Sequence, residues 1–395
     1  MRRAHPSPSP ILALLLSLGA CATEGGGDEQ GGSSGASLSG PDASSAASMS
    51  SSPEPTESDG SASDPTASDG SASDPSASGP GDDTGSPTGA CGNAEGQLLL
   101  PSMPWNTDVS AAPVAADSQA VIDYLQANVV SDARFQIDFS IPILEATADT
   151  PRQSFEPTED FFDPDCDPAP IPMPEGGHIE GEAGYTCEGD GDCHLIVVDR
   201  ESCRLYEQWR AGFGTGGGCL AIWELDRAYD ETLRGDYCSS ADAAGLPIAA
   251  LLFTADEIAA GEIRHALRFI LPNDNIRADE YVRPGTHSTF PTAGPGDAPP
   301  YAVRLRLRPD VDISGLNPAA QVVATALATY GMILADGGNI TFTAAADDVT
   351  TATWEGVGLG PHDLKGLQWS DFEVIDAGPT ITWSEGDCTR TPITD

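Results

Sequence analysis

Hydrophobic and polar positions in this chain alternate over short runs separated by loops rich in Gly, Pro and Asp, a rhythm that predicts mainly strands. Residues 301–308 alternate strictly, with Val303, Leu305 and Leu307 projecting one way and Arg304, Arg306 and Arg308 the other. Residues 261–271 read the same way: Glu262, Arg264 and Arg268 share one face, and Ile263, His265, Leu267, Phe269 and Leu271 share the opposite one. Residues 203–210 alternate, 194–199 are short, apolar and β-branched, and 340–343 and 372–375 add two further runs. Two stretches carry helical spacing. Residues 117–129 open on Asp117, a capping type, and put Val121, Ile122 and Leu125 on one face. Residues 317–330 offer Asn317 as N-cap and Pro318 at the first helical position. Their apolar stripe is Val322, Val323, Ala326, Leu327 and Tyr330, with Gly331 as the stop. The pattern predicts a mostly β fold, a β-sandwich or jelly roll with two or three peripheral helices.

The first 90 residues break this rhythm. Arg2 and Arg3 precede an apolar run at 11–18, about half the ~20 residues needed to span a hydrocarbon core. It reads as a cleavable export signal. It ends in Leu18-Gly19-Ala20-Cys21, which resembles the lipobox of bacterial lipoproteins and makes Cys21 the expected lipid acceptor. Residues 22–90 are mostly Ser, Gly, Ala, Asp and Pro, with a ten-residue unit repeated at 58–67 and 68–77 and no Lys, Arg or aromatic residue. Such a composition buries too little apolar surface to offset the entropy of ordering it. It predicts a disordered tether spanning on the order of 45 Å. Residues 91–395 are left as one β-rich domain.

Charge and cysteine content sharpen the setting. The chain carries a formal net charge of −43, and residues 91–395 hold 49 acidic against 16 basic residues. That excess argues against nucleic acid as a partner. Eight of the nine cysteines remain once Cys21 is set aside: Cys91, Cys166, Cys187, Cys193, Cys203, Cys219, Cys238 and Cys388. An even number in an exported chain implies four disulfides. Their connectivity is open; Cys91 with Cys388 would clip the domain ends, and Cys187 with Cys193 would close a short acidic loop. No C-x-x-C pair supports a zinc site.

Several phrases stand out together: Pro104-Trp105-Asn106-Thr107-Asp108 with Ser110-Ala111-Ala112-Pro113-Val114, residues 170–174 leading to Ile179-Glu180-Gly181, and 194–199 leading to Leu205-Tyr206-Glu207. The series continues with SADAAGLP at 240–247, GEIRHALR at 261–268, YGMILAD at 330–336 and SDFEV at 370–374. Across residues 100–376 the chain resembles a functionally unassigned family of secreted bacterial proteins. The resemblance implies export, a β-sandwich, and relatives that often sit beside carbohydrate-binding or laminin-G-like modules. The chain departs from the family in its many cysteines and in Asp192-Cys193-His194.

No H-E-x-x-H motif or phosphate loop occurs, no nucleophile elbow or dinucleotide fingerprint stands in its structural context, and no cofactor or metal is expected. Chemistry must come from carboxylates, histidines and arginines gathered by the fold. Glycoside cleavage needs one carboxyl held protonated and one ionised. Glu207, Asp242, Glu262 and Asp336 are the carboxylates lying in the phrases above, and His265 is a further catalytic candidate. Arg264, Arg268, Arg304 and Arg306 are candidate ligand-binding cations on the charged strand faces. Glu262 and His265 form an E-x-x-H, which binds metal on a helix but points opposite ways on the strand expected here. A core histidine is the competing reading of His265, and His194 is equally ambiguous. The acidic run 188–192 lacks the full calcium-loop pattern and reads as a solvated turn. The six tryptophans, at 105, 209, 223, 354, 369 and 383, are scattered rather than clustered. The expected function is a lipid-anchored extracellular protein acting on polysaccharide as a hydrolase or lyase; the alternative is a non-catalytic module that binds glycan or protein.

Overall fold

A computed structural model describes residues 91–395 except 130–134, 189–190, 213–215 and 340. The export signal, Cys21 and the tether lie outside the described residues. In chain order the elements begin α1 (Ser118–Asn128), β1 (Ile137–Ile141), β2 (Ile143–Ala146), β3 (Arg152–Gln153), β4 (Ile171–Pro172), β5 (Leu195–Asp199) and β6 (Arg204–Gln208). They continue with β7 (Leu220–Glu224), α2 (Ala255–Ala260), β8 (Leu267–Leu271), β9 (Glu280–Tyr281), β10 (Arg304–Leu307) and α3 (Pro318–Thr329). The series closes with β11 (Met332–Gly337), β12 (Phe342–Ala345), α4 (Trp354–Val357), β13 (Phe372–Val374) and β14 (Ile381–Thr382). The protein is mostly sheet with few helices. A larger sheet runs β1-β12-β8-β11-β10-β13 and a smaller one β2-β5-β6-β7. β1–β12, β8–β11 and β2–β5 pair parallel, and the other neighbours in these two sheets pair antiparallel.

The smaller sheet is buried on both faces, which is why its strands read as apolar runs. Ile196, Val198, Leu205, Ala221 and Trp223 enter the main core with residues of the larger sheet. Leu195, Val197, Tyr206, Leu220 and Ile222 fill a second cluster with Leu144, Ile171 and Ile179. Only Pro142 separates β1 in the larger sheet from β2 in the smaller.

Both expected helices form. Asn317 caps α3, its side chain accepting from the Ala320 amide at 2.8 Å, and Pro318 follows at the first position. Gly331 ends it at φ +70, where a Cβ would meet the Leu305 carbonyl oxygen at 2.5 Å. Asp117 precedes α1 without making a side-chain cap. The strand expected over 261–271 is shorter, starting at Leu267. Upstream lies α2, opened by a reciprocal capping box between Thr254 and Glu257 and closed by left-handed Gly261. The alternation continued into residues that are helix cap and loop.

The disulfides are Cys91–Cys203, Cys166–Cys219, Cys187–Cys193 and Cys238–Cys388. The short acidic loop is closed as expected, but the pairing of Cys91 with Cys388 is wrong. Cys91 is joined to the β5–β6 turn, whereas the C-terminal segment is held near Cys238 by Arg390. That guanidinium donates to Asp167 at 2.7 Å and to the carbonyls of Pro164 and Asp165. Four disulfides fit an oxidising, extracytoplasmic environment. No helix of the described residues is long and apolar enough to cross a membrane.

Candidate functional site

On β8 the alternation places Arg268 opposite Leu267 and Phe269, whose side chains enter the core. Arg268 is nonetheless buried, so its five donors need acceptors. β11 supplies one through a register break. Ile333 and Leu334 pair with Arg268 and Phe269, but Asp336, not Ala335, pairs with Ile270. A regular strand would turn Asp336 onto the Phe269 face; the extra residue re-aims it to the side of Arg268. The Ala335 carbonyl accepts from the Ala244 amide at 2.9 Å, tying down the loop that carries Asp242. Within that loop the Ser240 hydroxyl donates to the Leu246 carbonyl at 2.7 Å and accepts from the Asp242 amide at 3.0 Å. Gly245 turns it at φ +75, where any Cβ would collide with Thr286 Oγ1 at 2.1 Å.

Arg268 Nη2 donates to Asp242 Oδ1 at 2.9 Å and to Asp336 Oδ2 at 3.0 Å, and its Nη1 donates to Thr343 Oγ1 at 3.1 Å. Because one nitrogen serves both carboxyl groups, the two accepting oxygens lie under 6 Å apart. Asp242 is fully buried, while 22% of the Asp336 side chain is exposed. Burial raises both carboxyl groups against the opposing pull of Arg268. Asp336, facing the Asp242 charge as well, is pushed up to about 7.

A second pair adjoins the first. His194, at the foot of β5, places Nδ1 2.7 Å from Glu180 Oε2, and the Ser140 hydroxyl donates to Glu180 Oε1 at 3.2 Å. Burial alone would lower His194, but the Glu180 charge and hydrogen bond outweigh it and hold the imidazole at about 9. Burial would likewise raise Glu180, yet His194 brings it down to about 2. The Glu180 side chain is 19% exposed. His194 Nε2 is buried and has no hydrogen-bond partner among the described residues. Arg268 acts electrostatically on Glu180 and His194, and His194 on Asp242 and Asp336, so the two pairs form one charged cluster. Glu207 lies behind it in the core. Its Oε1 accepts from the Ala249 amide at 2.7 Å and its Oε2 from Trp223 Nε1 at 3.0 Å, while burial raises it to about 7.

The expected residues thus divide. Asp242, Asp336 and Arg268 meet. Glu207 is fully buried and positions the 248–249 backbone. Glu262 and Arg264 pair with each other at 2.8 Å on the exposed segment after α2, apart from the Arg268 contacts, so the expected grouping of Glu262 with Arg268 does not form. His265 is a core histidine: Nδ1 lies 2.8 Å from the Ala266 carbonyl and Nε2 3.2 Å from Glu257. Arg304 and Arg306 alternate as expected but face protein. Arg304 donates to the carbonyls of Tyr330, Pro104 and Thr107 at 2.6, 2.8 and 2.9 Å. Arg306 pairs with Glu373 and donates to the carbonyls of Val109 and Ala112. These two arginines bind the 104–112 segment, not a ligand. Glu180 was not among the candidates; its phrase was visible, but nothing local marks it as His194's partner.

Among the described residues, Glu182, Cys187 and Cys193 are close enough to share a metal ion, but the two sulfurs are joined to each other. Comparison with protein-family models, curated proteins and solved structures finds no match.

Proposed function

We infer that this is a glycan-directed hydrolase in which Asp336 is the general acid and Glu180 the base or nucleophile. The observation that carries the reading is a pair of solvent-touching carboxyl groups in one cluster with pKa values pushed far apart, Asp336 to about 7 and Glu180 to about 2. Glycoside cleavage requires that division of labour. Asp336 would protonate the leaving oxygen, keeping its proton through Asp242, while Glu180 stays ionised beside the imidazolium of His194. Arg268 and His194 are positioning residues, each engaged by carboxylates. The test is to incubate the full chain with a polysaccharide panel and assay new reducing ends and unsaturated products. New reducing ends that disappear in Asp336→Asn support hydrolysis; unsaturated products would mean a lyase, and binding without either product a non-catalytic glycan- or protein-binding module.

Placement of this activity at a cell surface rests on the lipobox-like Leu18-Gly19-Ala20-Cys21, the acidic tether and the disulfides. Fatty-acid labelling that is lost in Cys21→Ser tests the anchor. The sandwich expected from the family resemblance corresponds, in our reading, to the small sheet packing its inner face into the core of the large one.

A further inference from the structure

Phe290 is the most exposed large apolar side chain among the described residues, at 65%. Its ring packs edge-on against Trp383 with centroids 5.0 Å apart, and Trp383 in turn meets the His287 ring at 4.7 Å. Trp383 is anchored through Nε1 to the Tyr237 carbonyl at 3.4 Å. Two threads join this aromatic patch to the acidic cluster. Burial pushes His287 down to about 4, so its ring is neutral and Nδ1–H donates to the carbonyl of Ala243, the residue after Asp242, at 2.8 Å. The residue before Phe290, Thr289, places its hydroxyl 3.4 Å from that of Tyr301, and the Asp336, Asp242 and Arg268 charges all act on Tyr301.

Charge narrows what can lie across both. Glu180 and Asp336 are the partly exposed members of the cluster, Asp192 beside them is exposed, and all three are carboxyl groups. The cations, Arg268 and His194, are each 3% exposed and already held by carboxylates. A uronate would bring another negative charge to a cluster whose own two cations are already paired.

The geometry points to a sugar-binding subsite on Phe290 and Trp383, serving an uncharged glycan that also reaches Asp336. This inference rests on the reading of the acidic cluster as the place of glycan cleavage. Aromatic faces pack against the apolar C–H face of a sugar ring, and an exposed aromatic patch beside a polar cluster is the arrangement such a chain needs.

Titrating the full chain with neutral cello- and xylo-oligosaccharides and with oligogalacturonate, by calorimetry and tryptophan fluorescence, tests it. A neutral oligosaccharide should bind, with oligogalacturonate at least about tenfold weaker at low salt, and Phe290→Ala should weaken neutral binding by about tenfold. Phe290→Tyr should restore it. Because Phe290 is mostly exposed, the alanine variant should keep its thermal midpoint, which separates lost stacking from lost fold. Unchanged affinity in Phe290→Ala, equal binding of oligogalacturonate, or no binding of any neutral oligosaccharide overturns the subsite. Product formation with affinity insensitive to Phe290 rejects the subsite while leaving hydrolysis intact; Phe290-dependent binding without product does the reverse.

Discussion

Replacing Arg268 by Met removes the cation between the fully buried Asp242 and the partly exposed Asp336. The guanidinium's bonds to Asp242, Asp336 and Thr343, at 2.9, 3.0 and 3.1 Å, are lost together. Met retains much of the side chain's length, so charge and hydrogen bonding change more than packing. Removing one partner of a buried pair costs about 3–5 kcal/mol, because the other stays buried without compensation. Here the cost must depend on pH. Asp242 and Asp336 are already raised above their ordinary 3.8 by burial, and without Arg268 both rise further. A carboxyl raised in the folded state favours folding while protonated and loses that contribution as pH climbs through its folded value. At about pH 8 the variant should therefore show the full deficit of about 3–5 kcal/mol. At about pH 5 Asp336 is largely protonated in both proteins, and without Arg268 both carboxyl groups keep their protons to higher pH than in the parent. One proton's difference alters stability by about 1.4 kcal/mol per pH unit, so the deficit should shrink by about 1 kcal/mol or more. Urea unfolding followed by tryptophan fluorescence, with the disulfides intact, measures both values. A deficit that is flat with pH, or larger at pH 5, would refute the charge argument.

Glu180→Gln should bring the His194 pKa down from about 9, read from its imidazole proton shifts. The raised imidazole stabilises fully below its ordinary 6.5 and the lowered Glu180 fully above its ordinary 4.5. The stability lost in that variant should therefore peak between those values, fading as pH rises through about 9 or falls through about 2. Turnover of a glycan substrate should decline as pH rises through about 7, where Asp336 loses its proton; a rate still climbing there would reject Asp336 as the acid. Arg304→Met leaves three partly buried carbonyls without their donor and should cost about 1–3 kcal/mol in urea unfolding, without changing product formation. Replacing Cys238 and Cys388 together by Ser opens a link of sequence separation 150 and should lower stability by about 4–5 kcal/mol in the chain-entropy picture; an unchanged urea midpoint would contradict it.

Sequence pattern reached some parts of this molecule and missed others for physical reasons. The capping signals of α3 are local, so Asn317, Pro318 and Gly331 could be read directly. Those of α2 were equally local in Thr254, Glu257 and Gly261 but went unread, and the alternation from Gly261 onward extended the expected strand over residues 261–266, which are the helix cap and the segment after it. Period-2 patterning assigned Arg268, Arg304 and Arg306 to a charged face. It could not say that protein covers that face: the carbonyls over Arg304 and Arg306 come from residues 104–112, nearly 200 positions away, and the carboxylates on Arg268 from Asp242 and Asp336. Asp336 could be nominated, but its direction depends on a bulge that leaves no mark on alternation. The bond between Glu180 and His194 crosses between loop and strand, and its partners are found only once the smaller sheet is folded.

The covalent cross-links also decide how the domain would bear a pull. A load entering at Cys91 crosses at once to Cys203, and one leaving at Cys388 is taken over from Cys238. Between those anchor points only the 35-residue step from Cys203 to Cys238 lies in the direct line of force. Cys166–Cys219 and Cys187–Cys193 offer no shorter route. Fully drawn out, that step adds about 120 Å of slack, at roughly 3.3–3.6 Å per residue. Asp242, His194 and Arg268 all sit on the sheltered loops, so stretching would first strip β6 and β7, removing the support behind the site while the charged groups stay inside closed rings.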